Sequence, residues 1–307
     1  MKMTLETIES YMKDCTLCPR QCHAGRSLGQ TGFCRQGAQV KAARAALHFW
    51  EEPCISGDCG SGTVFFSGCS LQCVFCQNHS IALGETGRII SLERLCQIYL
   101  ELQDQGAANI NLVTAGHFLP QVAYSLELAR MQGLAIPVVY NTGGYESVST
   151  LKLLDGLVDI YLPDLKYHSP ELSARYAKAP DYFGKAAAAV AEMYRQVGTP
   201  VFAPDTGMMK RGVIVRHLLL PGQTGDSKRI LRYLHDTYGD DIYISIMNQY
   251  TPLAQAAKIP GLDRPVSDAE YARVLDFAER IGIEKGFWQT GETCSESFIP
   301  PFGYQGI

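Results

Sequence analysis

Three cysteines, Cys69, Cys73 and Cys76, stand in a C-x3-C-x2-C arrangement inside Phe66-Ser67-Gly68-Cys69-Ser70-Leu71-Gln72-Cys73-Val74-Phe75-Cys76-Gln77-Asn78. Thiolates at such spacing are ligands for an iron–sulfur cluster, which normally takes four. Three protein ligands leave one iron open to a substrate or cofactor. The competing reading is zinc with His79 as a fourth ligand, but structural zinc sites are closed, usually by two C-x2-C pairs. An open triad suits a reactive cluster better. Upstream, Cys15, Cys18, Cys22 and Cys34 place four more thiols in a Gly-rich segment. They suit a closed site for zinc or an auxiliary cluster, with His23 as a substitute ligand, or else they pack as small apolar groups. Cys54 and Cys59 are a looser pair that could join this set, Cys96 reads as mid-helix core, and Cys294 lies near the C-terminus.

The elements that must position these groups change character along the chain. A short helix is expected over residues 4–13, then irregular backbone over 14–37. From about residue 62, apolar runs alternate with amphipathic stretches, the pattern of repeated βα units around a parallel sheet. Strands are expected at 63–67, 109–113, 137–140, 158–162, 213–220 and 241–247, with a seventh at 286–290. Their continuous apolar runs suit strands buried on both faces. Helices are expected at 91–105, 119–131, 185–197 and 227–238. Ser267-Asp268-Ala269-Glu270 is a capping box opening another helix, to about residue 281. The cysteine triad directly follows the first of these strands.

Composition bounds the function class. The chain has 307 residues, 27 Lys plus Arg against 31 Asp plus Glu, and a formal charge of −4. A faintly acidic protein has no broad electrostatic footprint for nucleic acid or an anionic membrane. At 46% hydrophobic and 19% charged it can bury a sizeable core and is not a disordered chain. No run approaches the roughly 18 apolar residues of a membrane span, and Glu6 and Glu9 fall where a signal peptide would be apolar. Eleven cysteines, nine of them between Cys15 and Cys76, do not match a secreted disulfide scaffold. A cytoplasmic location is expected.

The triad, with Phe75 just before its last cysteine, resembles the cluster motif of the radical S-adenosylmethionine (SAM) superfamily. CTLCPRQC, ALHFWEEPCISG, FFSGC, CQN, INLVT, VVYNTGGYE, VDIYLPDLKY, KRGVIVRHLLLPG and QYTPL extend the resemblance to the branch named after pyruvate formate-lyase-activating enzyme. The resemblance implies an α/β fold, a partial (β/α)6 TIM-like barrel over residues 61–250. A Cys-rich N-terminal segment (1–60) precedes it, and a C-terminal extension (251–307) closes its mouth. It implies a 4Fe–4S cluster on Cys69, Cys73 and Cys76 that binds SAM and, once reduced, cleaves it to a 5′-deoxyadenosyl radical. Phe75 would lie near the adenine. Thr114, Gly116 and His117 form the turn after the second strand, where the superfamily places a Gly-Gly-Glu-like stretch against the SAM amino group. Here Thr-Ala-Gly-His departs both from that stretch and from the Thr-Pro-Thr-His of the branch. Asn141 faces the same mouth, Asp164 and Lys166 would sit near the SAM ribose and carboxylate, and Asn248 ends the sixth strand. On residue type alone, Asp164 caps a turn after Pro163 and pairs with Lys166 at the surface, and His117 and His217 are satisfied core residues.

The same resemblance leaves two enzymes open. An activase takes hydrogen from a glycine of a partner enzyme and needs an open mouth. About sixty residues follow the sixth strand here, enough to cover that mouth, which favours a lyase on a small molecule. One such lyase that the chain resembles cleaves queuine to 7-aminomethyl-7-deazaguanine. Either needs a reducing partner such as flavodoxin or ferredoxin, and neither involves nucleic acid or a membrane. A metal-binding interaction protein is the non-catalytic alternative.

Overall fold

A computed structural model describes residues 2–289, 300 and 302–307. Cys294 lies outside them. Ten strands are found among the described residues: β1 (Val40–His48), β2 (Ser61–Phe66), β3 (Arg88–Ile90), β4 (Ile110–Val113), β5 (Val138–Thr142), β6 (Ile160–Pro163), β7 (Val201–Phe202), β8 (Met209–Leu218), β9 (Tyr243–Met247) and β10 (Gly286–Trp288). Nine follow the order β10-β9-β8-β6-β5-β4-β2-β1-β3, and β7 pairs with β8. From β2 to β10 every neighbouring pair is parallel, and the end strands do not meet. The fold is a mixed α/β open sheet, largely parallel, as the alternation of apolar runs and amphipathic helices requires.

Alternation along the strands explains where core and site lie. In β8, Val213 and Val215 join the large cluster beneath the helices, whereas Ile214 joins a separate inner cluster and Arg216 lines a cavity. Side chains two apart share a face, so one face of each strand packs helices and the other faces inward. The inner cluster combines Ile214 with Val139, Ile160 and Leu162 and with Cys54 and Ile55. The last two come from the short helix Pro53–Ser56, which plugs the start of the strands. Asn109 holds the plug by donating from Nδ2 to the Ile55 carbonyl at 2.7 Å.

All seven expected strands are present within a few residues. The helices follow their caps: Thr4 and Ser91 accept from Thr7 and Arg94 backbone N–H groups, and the Ser267–Glu270 capping box is complete. Cys96 is buried in helix Leu92–Asp104. Residues 14–37 contain only a 3-10 turn, Arg26–Leu28. The apolar pattern missed the short β3 and β7 and, more consequentially, β1, which pairs antiparallel with both β2 and β3. Its alanines and charged residues carry little strand preference of their own, so pairing on both edges decides it. No helix among the described residues is long and apolar enough to cross a membrane.

Two glycines with positive φ separate backbone freedom from close packing. Gly133 (φ +104) faces open space, whereas a Cβ on Gly144 (φ +81) would sit 2.2 Å from the Asp164 carbonyl oxygen. Gly133→Ala should cost about 1 kcal/mol, from the left-handed backbone alone. Gly144→Ala should cost about 3 kcal/mol or more, because β5 and β6 must part. Urea unfolding of the two variants checks the difference; equal losses would remove the packing argument.

Candidate active site

The C-terminal ends of the parallel strands surround a cavity of about 250 Å³. Cys69, Cys73, Phe75 and Cys76 enter it from the loop after β2, Thr114 from the end of β4, Asn141, Thr142 and Gly143 from β5, and Asp164 and Lys166 from β6. Of the expected site residues, eight therefore meet in one place. Gly116, His117 and Asn248 do not line it. Gly116 packs under the wall against Glu146. His117 is buried, with Nε2 2.6 Å from the Ser67 carbonyl, so that nitrogen carries the proton. Burial, aided by Arg26, pushes its pKa down to about 3. It is a satisfied neutral core residue; His217 is also buried, with Nδ1 2.8 Å from the Leu165 carbonyl, but its Nε2 has no hydrogen-bond partner among the described residues. The Asn248 N–H donates to Gln289 Oε1 at 2.7 Å.

The cysteine loop is braced from behind. Gly68 (φ +90) packs so closely that a Cβ would lie 2.6 Å from the Cys34 carbonyl oxygen. Arg20 donates from Nε to the Ser70 carbonyl at 2.9 Å while its guanidinium stacks 4.0 Å from the Phe33 ring. Gln72 donates back to the Phe33 carbonyl at 2.7 Å. Burial raises all three thiols, to about 11 for Cys73 and about 12 for Cys76, while the Lys166 ammonium pulls each the other way. Phe75 is held edge-on by Tyr167, Tyr176 and Tyr250, with centroids 5.9 to 6.4 Å away.

Sequence reasoning missed the charged chain across the cavity. Lys166 Nζ lies 2.5 Å from Asp164 Oδ2, and Arg216 lies between Asp164 (3.3 Å) and Glu51 (2.9 Å). Asp164 and Lys166 do pair, but on the cavity wall, with side chains only 15% and 16% exposed. Glu51 Oε1 also accepts from Asn111 (2.8 Å) and Asn141 (3.1 Å), and Arg216 donates to Asn141 Oδ1. The available signal was Glu51 in the stretch ALHFWEEPCISG and an Arg inside an apolar strand, a residue that must have a buried partner. Nearby, His48 lines the cavity, edge-on to Phe65. Burial lowers its pKa to about 4.

The N-terminal thiols are neighbours: Cys15 and Cys34 are buried, Cys18 is half-buried and Cys22 exposed. Burial pushes Cys18 up to about 12, with Cys34 and Cys15 adding to the rise. Among the described residues, no three His, Cys, Asp or Glu side chains converge to hold a single ion. His23 instead pairs with Asp14 at 2.8 Å. Arg26, which no expectation named, is 2% exposed and lies 3.7 Å from Cys15 Sγ. It donates to the Gly37 and His117 carbonyls.

Arg216→Met should destabilise the protein by about 3–5 kcal/mol, since two buried carboxylates lose their shared cation. Adding Glu51→Gln should recover part of that loss. Chemical denaturation of the single and double variants measures it, and strictly additive losses would disprove the coupling.

The model of the Radical SAM superfamily matches residues 63–234, more than half of the chain. An uncharacterized protein of Methanocaldococcus jannaschii is 26% identical over 293 residues, covering 92% of this chain and 80% of that protein. Among solved structures, Streptococcus suis SuiB bound to precursor peptide SuiA aligns with 73% of this chain at 13% identity and a TM-score of 0.48. The FeFe-hydrogenase maturase HydG of Carboxydothermus hydrogenoformans aligns with 76% at 13% identity and 0.48. The chain spans 47% of that SuiB chain and 58% of that HydG chain. With the family match extending from β2 through the cysteine loop to the helix after β8, the chain belongs to the radical SAM superfamily, a membership that implies SAM and a 4Fe–4S cluster.

Proposed function

We propose that Cys69, Cys73 and Cys76 hold the 4Fe–4S cluster and that the enzyme takes hydrogen from a small molecule enclosed beneath its C-terminal residues. The donor set supports the first part: three thiols line one cavity, with a lysine beside them to offset the charge of thiolates. Ligands that each meet a different iron need not converge on one point. When bound and reduced, the cluster supplies the electron that cleaves SAM to a 5′-deoxyadenosyl radical. The chain's own residues then bind and shield. Phe75 offers an aromatic surface to the adenine. Asp164 presents a carboxylate to the ribose hydroxyls, and Lys166 is the cation for the SAM carboxylate. Thr114 and Asn141 contribute polar groups to the same wall. Gly116, His117 and Asn248 act from behind it, through the turns they pack.

One observation carries the enclosed-substrate reading: the described C-terminal residues reach the cavity at Pro300 and pack beside it. Pro300 lines it, and Phe302 packs edge-on against Phe65 at 5.5 Å. Gln305 accepts from the Ala45 N–H of β1 at 2.8 Å. Apolar residues over the mouth exclude water from a reactive radical. A protein loop would have to displace them. A lyase is therefore favoured over an activase, with queuine, cleaved to 7-aminomethyl-7-deazaguanine, as the candidate substrate. Electrons would come from flavodoxin or ferredoxin, and the three segments 1–60, 61–250 and 251–307 would serve as brace, barrel and cover in a cytoplasmic enzyme.

The N-terminal cysteines, Cys15, Cys18, Cys22 and Cys34, are proposed to bind a second metal, zinc or an auxiliary cluster. Arg26 supports this: among the described residues it has no carboxylate partner, and a buried cation needs an anion. A tetrathiolate site would supply one. A single zinc would have to draw Cys22 inward.

Cys69→Ala, Cys73→Ala or Cys76→Ala should each abolish 5′-deoxyadenosine formation under dithionite, whereas Cys96→Ser should not. Turnover by the triple variant would sink the cluster assignment. Elemental analysis of that triple variant should still find zinc or iron near one site per chain; metal-free, folded protein would reject the N-terminal site. Removing residues 295–307 should raise 5′-deoxyadenosine relative to product while the cluster absorbance persists. Intact protein with SAM and reductant should release 7-aminomethyl-7-deazaguanine from queuine. Unchanged coupling with inert queuine, and a glycyl radical on a partner enzyme, would favour the activase.

A further inference from the structure

The electron for SAM cleavage has to enter from outside the chain, and the C-terminal residues already reach the cavity at Pro300. The cysteine loop has a second side. Ser70, Gln72 and Val74 are half-buried, alternating with the buried Leu71, Cys73 and Phe75, so one side of the loop faces inward and the other reaches the surface.

Four cations surround that outer side. Arg20 donates to the Ser70 carbonyl, to the Ala177 carbonyl at 3.0 Å and to the Lys178 carbonyl. The Val74 N–H donates to the Tyr176 carbonyl at 2.9 Å, which brings Arg175 and Lys178 to the same place. Gln72 bonds the Phe33 carbonyl, and Gly68 packs on the Cys34 carbonyl, which sets Arg35 beside them. Arg35, Arg175 and Lys178 are exposed and Arg20 is half-buried. Among the described residues none of the four makes an ion pair. Two exposed acids border the arc. Asp181 accepts from Tyr145 Oη at 2.8 Å, and Glu85 follows Gly84, whose carbonyl accepts from Lys41 at 2.7 Å. An excess of positive charge thus gathers around one loop of a chain whose formal charge is −4.

The backbone adds an independent observation. Arg35 and Lys178 hold φ +59 and +54, the left-handed region where glycine is the unstrained residue. Lys178 also caps helix Pro170–Ala177, a position that glycine usually fills. Both places carry a long cation instead.

We propose that this face is the docking surface for an acidic one-electron carrier protein. The carrier loses one electron and the cluster behind the loop gains it. Opposite charge steers the encounter, and the C-terminal residues need not move for it. This rests on the cluster reading given above.

Flavodoxin hydroquinone, an acidic carrier, is mixed anaerobically with cluster-loaded, full-length protein, and the loss of cluster absorbance is followed by stopped flow. The double variant Arg35→Gly, Lys178→Gly removes two charges where glycine fits the backbone. Its reduction should be about tenfold slower at low salt. The difference should close at high salt, where screening removes steering. Reduced methyl viologen, a small cation that needs no such surface, should reduce wild type and variant alike. Arg175→Gln, on an exposed helix position, should slow flavodoxin about threefold and tests the arc if the double variant folds poorly. Equal flavodoxin rates for wild type and variants would overturn the proposal, as would a difference that salt leaves untouched. Equal slowing with methyl viologen would mean that the variants disturb the cysteine loop, and would overturn it too. Wild-type protein that methyl viologen cannot reduce would instead overturn the cluster reading, and the docking surface with it.

Discussion

A guanidinium buried inside a sheet has to be paired, and the pairing of Arg216 organises the cavity. It reaches Glu51 on one side and Asp164 on the other, and Asp164 reaches Lys166. Asn111 and Asn141 complete the shell around Glu51. One cation thus ties together β4, β5, β6, β8 and the segment that follows β1. In a low-dielectric interior each charge is tolerable only while its neighbours hold their places. The wall is rigid because its charges are mutually dependent.

The N-terminal segment performs a related task on the opposite side. Arg20, Phe33, Cys34 and Gln36 press on the cysteine loop from behind, and Arg26 joins the same segment to the turn carrying His117. The loop has no helix or strand of its own between β2 and the short helix His79–Ala82. Its shape is borrowed from the segment that packs against it. A metal among the N-terminal thiols would stiffen that support without taking part in the chemistry.

Polar and apolar residues divide the cavity between two tasks. On one side the thiols, Thr114, Thr142 and the Asp164–Lys166 pair present groups suited to a charged cofactor. On the other, His48, Phe65 and the C-terminal Pro300 supply neutral and aromatic surface, with Phe302 packed against Phe65.

The sequence by itself determined the parallel strands, the capped helices and the cysteine triad. Each rests on local rules: apolar runs for strands buried on both faces, side-chain caps at helix starts, and ligand spacing within one loop. The C-x3-C-x2-C spacing and the Asp164–Lys166 pair were legible because their members are within eight residues of each other. Tertiary structure alone decided β1, whose Ala-rich sequence becomes a strand through pairing on both edges. It alone brought Glu51 to Arg216 across 165 positions and set Glu146 beneath Gly116. It also placed Gly116, His117 and Asn248 outside the cavity that their positions at strand ends suggested. A side chain's direction at a strand end depends on the turn that follows, and a buried charge's partner depends on which strands become neighbours. Both are properties of the folded sheet, and no local pattern encodes them.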